Sequence, residues 1–412
     1  MSSTLSAATA RSSSTVPSAA GSASRIPSID LLRGVVMILM ALDHVRDYFN
    51  DSAYLYDPTD LQHTTPALFF TRWITHFCAP IFMLLAGIAA WLYGNKNGRK
   101  ALSFFLLTRG VWLVFVELFI VTLGWTFNIH FTFYILQVIW AFGICMILLS
   151  ALIRIRWSAL LVIALVLIFG HNLLDPVQFS GSGFPAVGWA LLHHFQPFFY
   201  GGFGFFVGYP ILPWLGILVL GYCLGRLYGP EFDAARRKRL LRILGLSAIA
   251  GFVLLRAINV YGDPAPWSMQ RNGLYTLLSF FNVTKYPPSL LYILMTVGPG
   301  LVFLSWCEGP LNAFTAKITV YGRVPFFYYI VHIYVLHGLA VLAAMWQGHA
   351  ASDMITVNNW VTGNPLLKGY GFGLGVVYFV WIGVVLLLYP LCRWFDSYKR
   401  SRQRQQKWLS YL

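Results

Sequence analysis

The chain has little charge. Of its 412 residues, 29 are Lys or Arg and 14 are Asp or Glu, so charged residues are 10% against 58% hydrophobic and 17% aromatic. A soluble domain carries about 25% charged residues, and so few cannot cover a soluble surface of this size. That argues against a soluble enzyme. The long apolar runs after residue 30 exclude general disorder. Other signals are missing too. The five cysteines form neither a CxxC nor a metal spacing and read as small core hydrophobes. There is no Walker loop, Rossmann fingerprint or HExxH motif, so ATP hydrolysis, NAD binding and zinc hydrolysis lack support and no metal is expected. Residues 1–24 are rich in Ser, Ala and Thr and lack the apolar core of a signal peptide, which reads as a disordered cytoplasmic tail.

What remains is an all-α polytopic membrane protein. Apolar runs of helical length, instead of ten-residue alternating segments, favour helices over a barrel. Ten spans are expected, at 29–49, 74–94, 103–123, 131–152, 157–174, 208–226, 241–259, 288–306, 318–343 and 371–392. The stretch 193–207, HHFQPFFYGGFGFFV, reads as a re-entrant or interfacial piece, or as an eleventh span. The formal net charge is +15, and its distribution carries the topology. With the N-terminus inside, all but six of the Lys and Arg residues fall on cytoplasmic segments or inner helix ends. The six are Arg46, Arg72, Arg256, Arg271, Lys285 and Lys368. This asymmetry predicts both termini in the cytoplasm. It also explains the basic excess without a nucleic-acid partner. One membrane domain is expected over 25–395, followed by a basic cytoplasmic tail over 396–412.

The polar chemistry is two-sided. All ten histidines fall in outer loops or in the middle to outer parts of spans. Ionisable groups inside spans are costly and usually functional. The first span ends in Asp43, His44, Arg46 and Asp47, where a carboxylate beside an imidazole suits a general base. His76 enters the second span just before Pro80, and His63 lies in the preceding loop with Asp57 and Asp60. His332 lies near mid-depth in the ninth span, four residues after Tyr328, where it could orient a substrate or relay a proton. For each of these the alternative is a structural network that locks helices together. The inner ends carry Arg33, Arg109, Arg226 and Arg323. Each is a snorkelling residue taken singly. Converging beside glycines such as Gly34, they could bind a phosphorylated cytoplasmic donor.

Several motifs together resemble a known family. They are RIPSIDLLRG at 25–34, LDHVRDYF at 42–49, HFCAPIFMLLAG at 76–87, TRGVWLVFVE at 108–117, LQVIWAFG at 136–143 and YGRVPFFYYIVH at 321–332. The chain resembles bacterial membrane proteins grouped with the heparan-alpha-glucosaminide N-acetyltransferase catalytic domain. The resemblance implies a transmembrane acyltransferase of a bacterial cytoplasmic (inner) membrane, and a homodimer. It implies acyl-CoA, in the family acetyl-CoA, as the cytoplasmic co-substrate, and an extracytoplasmic acceptor amine or hydroxyl, in the family an amino sugar. The family's catalytic histidine lies in the loop between the first two spans, where His63 is the nearest equivalent. An Asn and an Asp accompany it in the family; those positions are His44 and His76 here, and both depart from the pattern. The expected mechanism puts the phosphates of acyl-CoA near Arg33, Arg109 and Arg323. His44, His76 or His63, oriented by Asp43 or Asp47, then deprotonates the acceptor. A transient acyl-histidine and direct transfer both fit. The alternative function is a proton-coupled transporter or flippase of a small solute or lipid-linked sugar, which intramembrane His and Asp would also suit.

Overall fold

A computed structural model describes residues 26–357, 360–402 and 405–410. The expected tail over 1–24 lies outside the described residues. The chain begins with α1 (Pro27–Phe49), α2 (Pro66–Trp73), α3 (Cys78–Asn97), α4 (Arg99–Val116) and α5 (Thr122–Thr126). A π turn over Glu117–Val121 joins α4 to α5. Strand β1 (Phe133–Leu136) precedes α6 (Val138–Leu152), α7 (Trp157–Gly170) and α8 (Phe184–Leu192). Strands β2 (Gln196–Tyr200) and β3 (Phe203–Val207) lead into α9 (Ile211–Leu224), α10 (Ala234–Ile258) and α11 (Gly273–Phe281). The chain continues with α12 (Leu290–Trp306), α13 (Ala313–Arg323), α14 (Pro325–Trp346) and α15 (Leu374–Arg402). Helix starts follow local chemistry. Pro27 and Pro325 occupy first-turn positions of α1 and α14, where no amide donor is needed. The side chains of Asp233, Asn272, Ser289 and Asn312 cap α10, α11, α12 and α13.

The protein is mostly helical, at 72%, as expected of a polytopic membrane protein. Seven helical runs are long and apolar enough to cross a membrane: Pro66–Asn97, Arg99–Thr126, Trp157–Leu174, Ile211–Tyr228, Ala234–Ile258, Pro325–Trp346 and Leu374–Arg402. Helices α6 and α12 are apolar but shorter. Helix α1 has the length, at 23 residues, but carries five charged residues. Each of the ten expected spans thus contains a helix, with three differences. The start of 131–152 is strand β1. The run 318–343 is broken at Val324, because Pro325 disfavours a helical conformation in the residue before it. The expected tail from 396 begins as the continuation of α15 to Arg402.

The largest departure from an all-α fold is at 193–207. This stretch forms neither a helical span nor a re-entrant helix. It is a β-hairpin turning at Gly201–Gly202, and Gly201 has φ +59°, a left-handed value that glycine adopts without strain. Strand β3 also pairs in parallel with β1, giving the order β1-β3-β2.

Helix α12 is buried along nearly its whole length, and α1, α3 and α9 are largely covered. Helices α4, α10 and α15 present uncovered apolar side chains, including Phe104, Val111, Leu246, Phe379 and Leu386. Such a surface suits lipid, since an apolar face needs no water there. Helices α3 and α9 cross closely, because a side chain on Gly87 or Gly221 would meet the backbone of Leu218 or Leu84. This crossing separates two cavities at opposite ends of the pair.

Candidate active site

The larger cavity, about 830 Å3, opens at the end of α1 that carries Asp43, His44, Arg46 and Asp47. His76, on the turn between α2 and α3, lines it as well. Its rim is built by the loop after α1, the 282–286 segment before α12, and Ile135 and Phe206 of the small sheet. The β-hairpin therefore walls the site.

His44 has an unexpected partner. Its Nδ1 lies 2.7 Å from Nε2 of His332 on α14, and Nδ1 of His332 lies 2.9 Å from the backbone carbonyl oxygen of Tyr328. His332 is fully buried with no carboxylate against it, so the neutral imidazole is the favoured form. A carbonyl only accepts, so His332 Nδ1–H donates to Tyr328, and its Nε2 must accept. His44 Nδ1–H then donates to His332, which leaves the lone pair of His44 on Nε2. Trp125 packs edge-on against the His44 ring, at 4.7 Å between centroids. Tyr328 thus bonds His332 through its main chain, and its hydroxyl is buried without a partner among the described residues.

The carboxylates do not orient His44 as expected. Residues 43 and 44 are neighbours on a helix and point about 100° apart. Asp43 accepts from Nη1 of Arg72 at 2.8 Å on each oxygen, pairs with Arg46 Nη1 at 2.9 Å, and meets Lys285 Nζ at 3.4 Å. Asp47 takes the other terminal nitrogen of Arg46 at 2.5 Å. A buried carboxylate needs such partners, and an imidazole holds the position beside His44. His76 is 2% exposed, and its Nδ1 has no partner among the described residues. Its carbonyl accepts from the Tyr292 hydroxyl at 2.8 Å, which fixes the turn.

His63 stands apart. Its side chain is 60% exposed, and its Nδ1 bonds Asp60 at 2.6 Å. That hydrogen bond holds the Asp60 carboxyl below its usual range. The neighbouring Asp57, Pro58 and Thr59 line the cavity, whereas His63 does not.

The expected donor-binding residues lie at other helix ends. Arg33 pairs with Asp30, and its Nε is buried without a partner among the described residues. Gly34 packs against Ile318 where α1 crosses α13, and Gly322 packs against the backbone of Asp30 in the same crossing. Gly34 is thus filled by a helix backbone. The crossing brings Arg33 and Arg323 to one region, where Arg323 donates to Asp396 and Thr319, each at 2.8 Å. Arg109 is on α4, with its guanidinium over Phe105. A second cavity of about 330 Å3 lies at the far ends of α3 and α9, lined by Arg99, Arg226, Trp91 and Trp157 among others. Arg33, Arg109 and Arg323 line neither of these two cavities.

A sequence model of the catalytic domain of heparan-alpha-glucosaminide N-acetyltransferase matches residues 25–255. The chain belongs to this family. No curated protein matches it. Membership makes it a transmembrane acetyltransferase-like protein, of a family that in general uses acetyl-CoA as donor. The matched stretch includes His44, His63, His76 and Arg72, and it ends before Lys285, Arg323 and His332. Half of the His44–His332 pair therefore comes from outside it. Sequence reasoning missed Arg72, Lys285, Gln137 and Trp125 as lining residues. A signal existed for two of them: Arg72 and Lys285 are among the six basic residues that break the charge asymmetry.

Proposed function

We propose that the protein moves an acyl group, in the simplest case acetyl, from cytoplasmic acyl-CoA to an amine or hydroxyl of an extracytoplasmic acceptor, with carbohydrate as the acceptor class. Family membership supports this reading. The observation that carries it is the His44–His332–Tyr328 hydrogen-bonded chain ending at the cavity wall.

With an acceptor N–H or O–H against Nε2 of His44, that nitrogen takes the proton. The acceptor lone pair attacks the thioester carbonyl carbon, the C–S bond breaks, and the imidazolium returns its proton to the leaving thiolate. His332 holds the ring as a carboxylate would, by accepting from Nδ1–H. His76 is a second imidazole on the same cavity and is the position for a group that polarises the carbonyl or the acceptor.

Donor phosphates are assigned to the opposite helix ends. Arg33 and Arg323 already carry carboxylates, so a phosphate there adds to their remaining N–H groups or displaces Asp30 and Asp396. Arg99 and Arg226 in the smaller cavity offer a second basic surface at the far end of α3 and α9. The same proposal includes ten spans, both termini in the cytoplasm, a bacterial inner-membrane location and a homodimer. The basic asymmetry supports the first two, and the family resemblance suggests the last two.

The test is acyl transfer by purified protein in detergent or liposomes, with radiolabelled acetyl-CoA and a panel of amino sugars and polyols. Acceptor-dependent thiol release that is lost in His44→Ala supports the reading. Solute flux across liposomes without thioester turnover would favour the transporter.

A further inference from the structure

The smaller cavity has no part in the chemistry at His44, and its level in the fold is distinctive. Four of the helical runs long enough to cross a membrane have an end at it. Trp91 and Asn95 lie in the last two turns of Pro66–Asn97, and Arg99 is the first residue of Arg99–Thr126. Trp157 is the first residue of Trp157–Leu174, and Tyr222 and Arg226 lie in the last two turns of Ile211–Tyr228. The ends of apolar runs mark the boundary between hydrocarbon and water. Trp and Tyr collect at that level, because an apolar ring with one polar atom suits it.

The cavity is also basic. Arg99 and Arg226 line it, and Glu231 is the one carboxylate among its lining residues. Lys96, Lys100, Arg154 and Arg156 neighbour lining residues in sequence and are exposed. Glu231 accepts from Nε and Nη2 of Arg226 through a single oxygen, at 3.2 and 2.8 Å, which leaves Nη1 to that arginine. Both partners are exposed, so the pair is weak and readily opened. Among the described residues, Arg99 has no carboxylate at ion-pair distance.

The walls are held in place. Trp157 Nε1–H donates to the carbonyl oxygen of Cys223 at 3.3 Å, and the Arg226 guanidinium lies 5.6 Å from the centre of the Trp157 ring. Trp91 fills the back, since a Cβ on Gly225 or Gly229 would clash with its side chain. From Trp157 onward, α7 leaves Val162, Leu165, Val166 and Phe169 uncovered. A volume of about 330 Å3 lies at the lower end of small-ligand sites and suits a phosphate headgroup.

We infer that the smaller cavity holds the headgroup of an anionic phospholipid. Arg99 and Nη1 of Arg226 meet the phosphate, and the acyl chains lie along the uncovered stripe of α7. Basic pockets between helices at the membrane boundary recognise such headgroups by charge. A soluble nucleotide, the CoA donor included, offers the same phosphate chemistry. The level of the cavity, with an apolar stripe leading away from it, favours a phosphate that carries acyl chains. The site stands whether or not the protein transfers acyl groups.

The experiment titrates delipidated full-length protein in detergent with phosphatidylglycerol, phosphatidylcholine and CoA, and native mass spectrometry counts what is bound. Phosphatidylglycerol is expected to bind about ten-fold more tightly than phosphatidylcholine. Arg99→Gln is expected to narrow that gap by about five-fold, the effect of one basic group at an anionic headgroup. The paired Arg226→Gln/Glu231→Gln variant removes the other cation with its partner and is expected to narrow the gap as well. Arg239→Gln, an exposed basic residue of α10 outside the cavity, is expected to leave it unchanged. Melting temperatures without lipid confirm that the variants fold. Equal affinity for the two lipids, an unchanged gap in both cavity variants, or an equal loss in Arg239→Gln overturns the headgroup site. CoA binding that falls in Arg99→Gln while the lipid gap holds assigns the cavity to the nucleotide and overturns the lipid.

Discussion

Nδ1 of His44 and Nε2 of His332 lie 2.7 Å apart although 288 residues separate them in the chain. One imidazole faces the cavity, and the other is sealed in α14 with its second nitrogen bound to a main-chain carbonyl. The arrangement is directional, because only one tautomer of the pair satisfies both hydrogen bonds. On the proposed reading, His44 is the base and His332 its positioning residue. Replacing His44 by Ala should lower kcat by about 10^2–10^4-fold, the usual contribution of general acid–base catalysis, with little effect on acetyl-CoA binding. Full activity in His44→Ala would remove the assignment.

His332 should behave differently. It does not line the cavity, so its loss should act through the His44 ring. In His332→Ala, kcat should fall by about ten-fold or more while KM for acetyl-CoA holds, and the pH–rate profile should shift because the His44 tautomer is no longer imposed. A carboxamide that can accept from Nδ1–H, as in His332→Gln, should restore part of the rate. A purely structural role would lower the amount of folded protein and leave the pH profile unchanged.

The loop histidine provides the contrasting case. The family resemblance makes His63 the nearest equivalent of the family's catalytic histidine, yet it is exposed and held by Asp60. His63→Ala should retain activity within about three-fold, since exposed substitutions away from a site have small effects. Parallel rate measurements on His44→Ala and His63→Ala decide between the two. A loss in His63→Ala equal to that in His44→Ala would mean that the loop closes over the cavity during turnover.

These residues also show what a linear reading can reach. The apolar runs contain the helices because length and hydropathy are local properties, and ionisable groups inside those runs drew attention to Asp43, His44, Asp47 and His76. All four line one cavity. The His44–His332 pair was out of reach because its two halves are far apart in sequence and neither has a distinctive spacing. Arg72 and Lys285 were visible as exceptions to the charge asymmetry, but an exception to a topology rule does not name the carboxylate that holds it. The stretch 193–207 leaves several readings open in sequence for a physical reason. Its Phe-rich strands and Gly-Gly turn fit a β-hairpin, yet its hydrophobicity also fits a membrane segment, and only pairing with β1 separates the two.

Asp43 offers a stability test that is separate from catalysis. It holds Arg72 by two bonds and also pairs with Arg46 and Lys285. Asp43→Asn would leave these cations facing one another with a single carboxylate, Asp47, bonded to Arg46. Removing one member of such a buried network costs about 3–5 kcal/mol. The detergent-solubilised variant should melt at a clearly lower temperature. Adding Arg72→Gln should recover part of the loss, since a neutral pair has less desolvation to offset. A double variant less stable by the full sum of the two single losses would show that the pair is not coupled.

The α1–α13 crossing yields the last prediction. Gly322 packs onto the carbonyl of Asp30, and Gly34 onto that of Ile318, so any Cβ at either position enters backbone atoms. A flexible side chain could move aside, but two packed helix backbones cannot separate without opening the interface along its length. Gly322→Ala should therefore destabilise the fold by about 1–3 kcal/mol or more, despite adding one methyl group and improving helix propensity. Gly338 on α14 has open space around it. The matched substitution Gly338→Ala should leave the melting temperature unchanged or raise it. Thermal unfolding of the two variants side by side checks the packing. If Gly322→Ala were as stable as Gly338→Ala, α1 and α13 would not cross as closely as described, and Arg33 and Arg323 would not share one region.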